Sequence, residues 1–149
     1  MPIAEICNRE VVIVEVNDTV LSAAKLMRKH HVGDVLIVKK SNGSSIPIGI
    51  VTDRDLVVEV MAPEIDASVL TVGDIMPRDL ATVKEGVGLF ETIQHMRARG
   101  VRRMPVVDDG GNLVGIVTLD DLLGLLVEEL SLLNKLIGRE QLKEAGARP

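Results

Sequence analysis

Two short segments carry the residues with the clearest potential for chemistry, a threonine followed by acidic side chains. They are Gly49-Ile50-Val51-Thr52-Asp53-Arg54-Asp55-Leu56 and Gly115-Ile116-Val117-Thr118-Leu119-Asp120-Asp121-Leu122. Each octet has the pattern of a short strand that stops at the threonine and enters an acidic helix start, which the threonine hydroxyl can cap. The pattern predicts outward-pointing backbone N–H groups at this start, a natural site for an anion.

The octets belong to an internal duplication of the chain. Residues 3–38 align without a gap with residues 72–107, at a constant separation of 69 positions. The identical pairs are Ile6/Ile75, Arg9/Arg78, Val14/Val83, Met27/Met96, Arg28/Arg97, Val32/Val101 and Val38/Val107. The octets are 66 positions apart, so the first copy holds three extra residues in its polar loop, residues 39–46. A constant offset broken only in a loop predicts two copies of one supersecondary unit.

The repeated unit resembles the CBS motif, in which a V-x-x-x-P-V-V strand precedes G-I-V-T-x-x-D-L. Two such motifs form a Bateman module. The resemblance implies an α/β (α+β) fold of two β-α-β-β-α repeats packed as a pseudo-two-fold pair, with two clefts that typically bind adenosine-containing ligands. The expected boundaries are residues 3–62 for repeat 1, 63–71 for a connector and 72–126 for repeat 2, and residues 127–149 extend the last helix into a tail.

Composition narrows the class of partner. The net charge of −5 argues against a nucleic-acid binder, whose affinity comes from clustered Lys and Arg. With one Phe and neither Trp nor Tyr, a bound base must lie between aliphatic side chains and be read by backbone groups. No apolar run reaches the length of a membrane span, and the N-terminus shows no secretion signal, so we expect a cytoplasmic protein that binds neither membrane nor nucleic acid.

Helical periodicity predicts helices over residues 20–30, 53–61 and 88–99, and short apolar runs predict strands over 11–16, 35–38, 46–52, 80–83, 103–107 and 113–118. A last helix begins at Leu119 and carries an apolar stripe. Its members are Leu122, Leu126, Leu130, Leu133 and Ile137. The stripe either closes over the core of its own unit or forms a homodimer contact. Gly138 suits a C-cap, after which residues 141–149 are expected to fray.

Asp55 and Asp121 occupy the position that, in the resembled family, accepts hydrogen bonds from the ribose hydroxyls. A single carboxylate can accept from both hydroxyls of a cis-diol. The alternative is a first-turn Asp that only stabilises the helix dipole. Thr52 and Thr118 cap their helices under either reading, and the resemblance places them beside ribose and phosphate.

Arg102 and Arg103 are the phosphate candidates, because the family often places His or Arg at this strand entry and a guanidinium matches phosphate oxygens. Copy one has Gly33 and Asp34 at the matching positions, so the two clefts are expected to be unequal. The resemblance groups the arginines with Thr118 and Asp121, and places Cys7, Val11 and Val32 around the base. It groups Arg54 with Thr52 and Asp55, and places Ile75, Met76 and Val101 near the base.

No arrangement of residues predicts catalysis or a resident cofactor. His30 and His31 are adjacent on a helix, diverge by about 100°, and have no third ligand, so no metal site is expected. Cys7 is best read as a small buried hydrophobe rather than a reactive thiol. The sequence therefore predicts a non-enzymatic sensor that binds AMP, ADP or ATP and acts through a dimer rearrangement or an unidentified effector protein. A purely structural dimerisation module with vestigial clefts is the alternative.

Overall fold

A computed structural model describes residues 1–148, which form two compact units, residues 1–117 and a second unit that begins at Thr118. The strands are β1 Ile13–Glu15, β2 Asp34–Ser41, β3 Ser44–Thr52, β4 Val83–Lys84, β5 Arg103–Val107 and β6 Leu113–Thr118. The helices are α1 Val20–His30, α2 Asp53–Leu56, α3 Val72–Ile75, α4 Leu89–Arg99 and α5 Leu119–Ala147. The predicted fold class, two α/β repeats, is confirmed.

Each repeat contributes one three-stranded sheet, ordered β1-β2-β3 in the first copy and β4-β5-β6 in the second. The first pair of strands is parallel in both sheets, and β2 pairs with β3 in the antiparallel sense. In the β2–β3 ladder Asp34 lies opposite Thr52. The polar start of β2 is therefore fixed beside the threonine that ends β3.

The first long helix shows why local sequence fixes these elements. Thr19 caps α1 by accepting a hydrogen bond from the Ser22 N–H at 3.0 Å. The helix buries Val20, Ala23 and Met27 on one face, and ends at a left-handed His31. Those buried side chains stand at helical spacing, so the apolar face of α1 joins the hydrophobic core of copy one.

The two copies exchange the short segments that precede their first strands, residues 1–8 and 70–77, which we term the lead-in segments. Ile3 N–H donates to the Val87 carbonyl at 2.7 Å, and the equivalent Val72 N–H donates to the Asp18 carbonyl at 2.8 Å. Each lead-in segment thus hydrogen-bonds to the turn after the first strand of the other copy. This reciprocal exchange ties the repeats of residues 1–117 into one unit.

Several predicted boundaries differ from the structure. β2 and β3 extend into the polar loop and meet at a two-residue turn, where Asn42 and Gly43 both have positive φ. β1 is shorter than predicted, and β4 holds two residues. The predicted helix over 53–61 is α2 followed by a π-helical turn, Val57–Met61.

The second unit is dominated by α5, in which Leu122 is buried and the rest of the predicted apolar stripe is exposed. The predicted C-cap at Gly138 is wrong, because the helix continues to Ala147. One glycine costs a helix only about 1 kcal/mol, and the following residues are mostly good helix formers. The tail predicted to fray is therefore helical through Ala147, and Pro149 lies outside the described residues. No helix in residues 1–148 has the length and hydropathy to cross a bilayer.

Candidate functional site

A pocket of about 320 Å³ lies within residues 1–117 and brings together segments of both copies. Its walls combine aliphatic side chains with two arginines, two aspartates and a threonine. The lining residues are Ile50, Thr52, Asp55, Pro77, Asp79, Leu80, Ala81, Val101, Arg102 and Arg103. Such a mainly apolar cleft with a few convergent polar groups is the usual form of a small-molecule site.

Thr52 and Asp55 are held in the pocket wall by a reciprocal capping box. The Asp55 N–H donates to Thr52 Oγ1 at 3.2 Å, and the Thr52 N–H donates to Asp55 Oδ2 at 2.8 Å. The carboxylate is therefore fixed through one oxygen. Within residues 1–148, Asp55 Oδ1 accepts no hydrogen bond, so it can accept from a ligand hydroxyl.

The expected outward-pointing N–H groups at this helix start are not available. Besides the capping box, the Asp53 N–H donates to the Gly33 carbonyl at 2.9 Å, and the Arg54 N–H donates to Asp53 Oδ1 at 2.8 Å. The acidic side chains that made the segment look like an anion site are themselves acceptors for its amides. The prediction of a helix-terminal anion site is therefore wrong for copy one, and cationic side chains must supply any anion contact there.

Arg103 reaches the pocket while forming an ion pair across the two copies. Its Nη1 donates to Asp34 Oδ2 at 2.8 Å, and the two side chains are 28% and 24% exposed. Burial raises the pKa of Asp34, the Arg103 guanidinium lowers it, and the nearby Asp53 carboxylate raises it further. Asp34 is thus a partly desolvated carboxylate that depends on Arg103 for its stability as an anion.

The other charged side chains differ in how they meet the pocket. Arg102 and Asp79 line it, and Asp79 also pairs with Arg99 at 2.9 Å, with 90% of its side chain exposed. Arg54, which the sequence placed in this cleft, is exposed and is not among the lining residues. The arginines that the resemblance groups with Asp121 line the pocket of Thr52 and Asp55.

The pocket lies where the lead-in segment of copy two meets β3. At the equivalent crossing, the lead-in segment of copy one meets β6. There Asn8 and Ile116 exchange two backbone hydrogen bonds of 2.8 and 2.9 Å. Pro77 replaces Asn8 in the repeat and has no N–H to donate. In the described part of the chain no backbone hydrogen bond joins Pro77 to Ile50, and both residues line the pocket.

Of the three residues predicted to contact the base in this cleft, one lines the pocket. Val101 lines the pocket, whereas Ile75 and Met76 are not lining residues and pack against the core of copy one. Sequence reasoning missed Ile50, Pro77, Asp79, Leu80 and Ala81. The repeat could have identified one of these residues. Leu80 is the equivalent of Val11, which the resemblance places around the base in the other cleft.

The residues assigned to the second cleft fall in both units. Thr118 Oγ1 accepts a hydrogen bond from the Asp121 N–H at 3.1 Å and caps α5. Cys7, Val11 and Val32 belong to residues 1–117, and their grouping with Asp121 stays a prediction. Cys7 is half-buried, and burial raises the pKa of its thiol, which disfavours the reactive thiolate.

Comparison with known proteins agrees with a doubled α/β unit. The CBS domain model matches residues 3–62 and 72–128. The chain is 38% identical over 121 residues to the uncharacterized protein MK0525 of Methanopyrus kandleri, covering 81% of this chain and 60% of that protein. The fold is thus that of a paired module of two like repeats, and the chain belongs to the CBS domain family.

Solved structures support the same assignment. A protein with CBS domains from Burkholderia ambifaria superposes with a TM-score of 0.74 at 28% identity, covering 86% of this chain and 95% of that one. The CBS domain protein PAE2072 of Pyrobaculum aerophilum, solved in complex with AMP, superposes with a TM-score of 0.71 at 23% identity, covering 81% of this chain and 89% of that one. At that identity the second comparison concerns the fold.

Proposed function

We propose that this CBS pair is a non-catalytic regulatory module that binds an adenine nucleotide in the pocket of Thr52 and Asp55. Occupancy would alter its contacts with a second copy or with an effector protein. A ligand shifts such an equilibrium only by its different affinity for the two states. The proposed mode of action is therefore binding coupled to rearrangement, with AMP, ADP and ATP as the candidate ligands and the cytoplasm as the proposed compartment.

The observation that carries this proposal is the convergence of three kinds of group on one pocket. Ile50, Leu80 and Val101 offer an apolar slot for a flat base. Asp55 Oδ1 offers a carboxyl oxygen as acceptor for ribose hydroxyls, and Arg102 offers a guanidinium group for phosphate. These are the three kinds of group that the base, sugar and phosphate of a nucleotide require.

The comparisons lend support from the fold. The Pyrobaculum protein, which shares the fold, is solved with AMP. The backbone also offers a feature suited to base recognition. Pro77 has no N–H and so cannot donate a hydrogen bond to the Ile50 carbonyl. A carbonyl oxygen at the wall of an apolar slot can accept from the exocyclic amine of adenine.

The test is a calorimetric titration of AMP into wild-type protein and Asp55→Ala. Loss of a charge-assisted contact of about 1.5–3 kcal/mol should weaken AMP binding about tenfold to a hundredfold. Asp55→Ala also removes half of a capping box, which costs about 0.5–2 kcal/mol of stability. A control must therefore reproduce that loss of stability at a residue that does not line the pocket.

Asp74→Ala provides this control. Thr71 and Asp74 form the same capping box at the start of α3, with the Thr71 N–H donating to Asp74 Oδ2 at 2.9 Å. Asp74 is not a lining residue, so Asp74→Ala should lower stability while leaving AMP affinity unchanged. Equal affinities for all three proteins, or equal losses in both variants, would remove Asp55 from the site.

The second candidate, a structural dimerisation module, is favoured by α5. Leu126, Leu130, Leu133 and Ile137 lie on one face and are 42%, 65%, 57% and 55% exposed. Residues 119–133 carry four acidic and no basic side chains, whereas residues 134–147 carry three basic and two acidic ones. Two copies of α5 in antiparallel orientation would cover this face and set unlike charges opposite each other.

Light scattering over a range of protein concentrations tests this candidate. Leu130→Glu should convert dimers to monomers, because the substitution places a charge in the apolar face. Phe90→Glu is the matched control, since Phe90 is 80% exposed on α4, outside α5. A wild-type chain that stays monomeric at high concentration excludes self-association through α5.

A further inference from the structure

The ion pair of Asp34 and Arg103 joins two equivalent positions of the repeat. The residues are 69 positions apart, and Arg103 Nη1 donates to Asp34 Oδ2 at 2.8 Å. The β2–β3 register holds Asp34 opposite Thr52, at the edge of the pocket that Arg103 lines. Copy two therefore supplies a cation to the pocket, and copy one supplies the carboxylate that neutralises it.

The formal charges of the pocket walls and of the side chains paired with them cancel. Asp55 and Asp79 line the pocket together with Arg102 and Arg103, and Arg99, which pairs with Asp79, adds a positive charge. Asp34 adds a negative charge directly behind Arg103, and its pKa is raised by burial and by Asp53, although Arg103 lowers it. The pocket thus has two guanidinium groups but no excess of positive charge to attract a highly anionic ligand.

We propose that Asp34 sets the charge class of the ligand, so that the pocket binds adenosine or a nucleoside monophosphate in preference to a triphosphate. This inference rests on the proposed adenine-nucleotide site. A triphosphate needs several cationic contacts, and one fork position of Arg103 is already occupied by Asp34. Drawing Arg103 towards phosphate would leave a partly buried carboxylate without its cation, an arrangement that carries a high free-energy cost. One phosphate can be met by the remaining N–H groups of Arg103 without breaking the pair.

The test measures dissociation constants for adenosine, AMP and ATP by calorimetry at fixed salt and without divalent cations. The wild-type protein should bind AMP at least as tightly as ATP. Asp34→Asn keeps the side-chain shape and an oxygen acceptor for Arg103, but removes the charge. It should raise ATP affinity by about tenfold, raise AMP affinity less, and leave adenosine affinity unchanged.

Asp79→Asn is the matched control, because Asp79 also lines the pocket but is 90% exposed and pairs with Arg99. Solvent screening should keep its effect on the ATP-to-AMP affinity ratio well below that of Asp34→Asn.

An unchanged ratio in Asp34→Asn, or a wild-type protein that prefers ATP, overturns the inference while leaving the adenine-nucleotide site intact. Failure of all three ligands to bind the wild-type protein overturns the proposed function and the inference together. If melting curves show that Asp34→Asn does not fold, the wild-type ratio decides alone.

Discussion

The two crossings between lead-in segment and sheet are built on the same plan, yet they differ in their backbone hydrogen bonds. Asn8 closes its crossing with two backbone hydrogen bonds to Ile116, whereas Pro77 has no N–H to donate and lines a pocket with Ile50. In both crossings the preceding residue faces a glycine of the sheet: Cys7 lies against Gly115, and its equivalent Met76 lies against Gly49. Within residues 1–148, the crossing that contains Pro77 thus lacks the paired backbone hydrogen bonds of the other crossing and borders a pocket.

The largest effect is expected on stability, when the glycine that faces each lead-in segment, Gly115 or Gly49, is replaced by alanine. A Cβ atom at Gly115 would lie 2.6 Å from the Asn8 carbonyl oxygen and 2.8 Å from Cys7 Sγ, whereas one at Gly49 would meet Met76 Sδ at 2.9 Å. Backbone cannot move aside, but a flexible thioether can. Gly115→Ala should therefore lower the free energy of unfolding by about 1–3 kcal/mol, as overpacking does, and Gly49→Ala should lower it less.

Urea denaturation of both variants measures this difference. The midpoint of Gly115→Ala should fall clearly below that of Gly49→Ala, with similar slopes. Equal midpoints would mean that the Asn8–Ile116 junction yields as easily as the Met76 side chain, and the comparison between a rigid and an adaptable crossing would fail.

A smaller effect is expected when Pro77 is replaced by asparagine, the residue at the equivalent position of the other crossing. Pro77→Asn restores an N–H that can donate to the Ile50 carbonyl, and so should draw the lead-in segment onto β3 and narrow the pocket. The new hydrogen bond, worth about 0.5–1.5 kcal/mol, is partly offset by the greater flexibility of the unfolded chain once proline is removed. Stability should change little, while AMP affinity should fall.

Hydrogen exchange measures the first part of this prediction and calorimetry the second. The amide of residue 77 in Pro77→Asn should be protected to a degree comparable with that of Asn8 in the same protein. An unprotected amide together with unchanged AMP affinity would show that Pro77 does not keep this crossing open.

Local signals in the sequence were sufficient for much of the fold. Helix α1 begins and ends where the sequence predicts, because Thr19 supplies a cap and the apolar residues recur at helical spacing. The constant offset of 69 positions predicted the repeats, and a resemblance to CBS motifs pointed to Thr52 and Asp55, which do line one pocket. These features depend on neighbours within a few residues or on exact repetition.

Features that depend on contacts between the copies could not be predicted in the same way. The acidic residues after Thr52 suggested free amides, but only the structure shows that Gly33 and Asp53 accept from them. The position of Arg103 is fixed by Asp34, which belongs to the other copy and which the sequence marked only as a charge difference. Gly138 predicts a helix end when it is considered alone, but the helix formers that follow it continue α5 to Ala147.

The central claim is that an adenine nucleotide binds in the pocket of Thr52 and Asp55. The most direct measurement is a titration of AMP into isotope-labelled protein, followed by methyl and amide NMR spectra. The account predicts saturable shifts concentrated at Ile50, Thr52 and Val101, with smaller shifts at Leu142 on α5, which does not line the pocket. An absence of shifts at millimolar AMP, or saturable shifts that spare the three pocket residues, would contradict it.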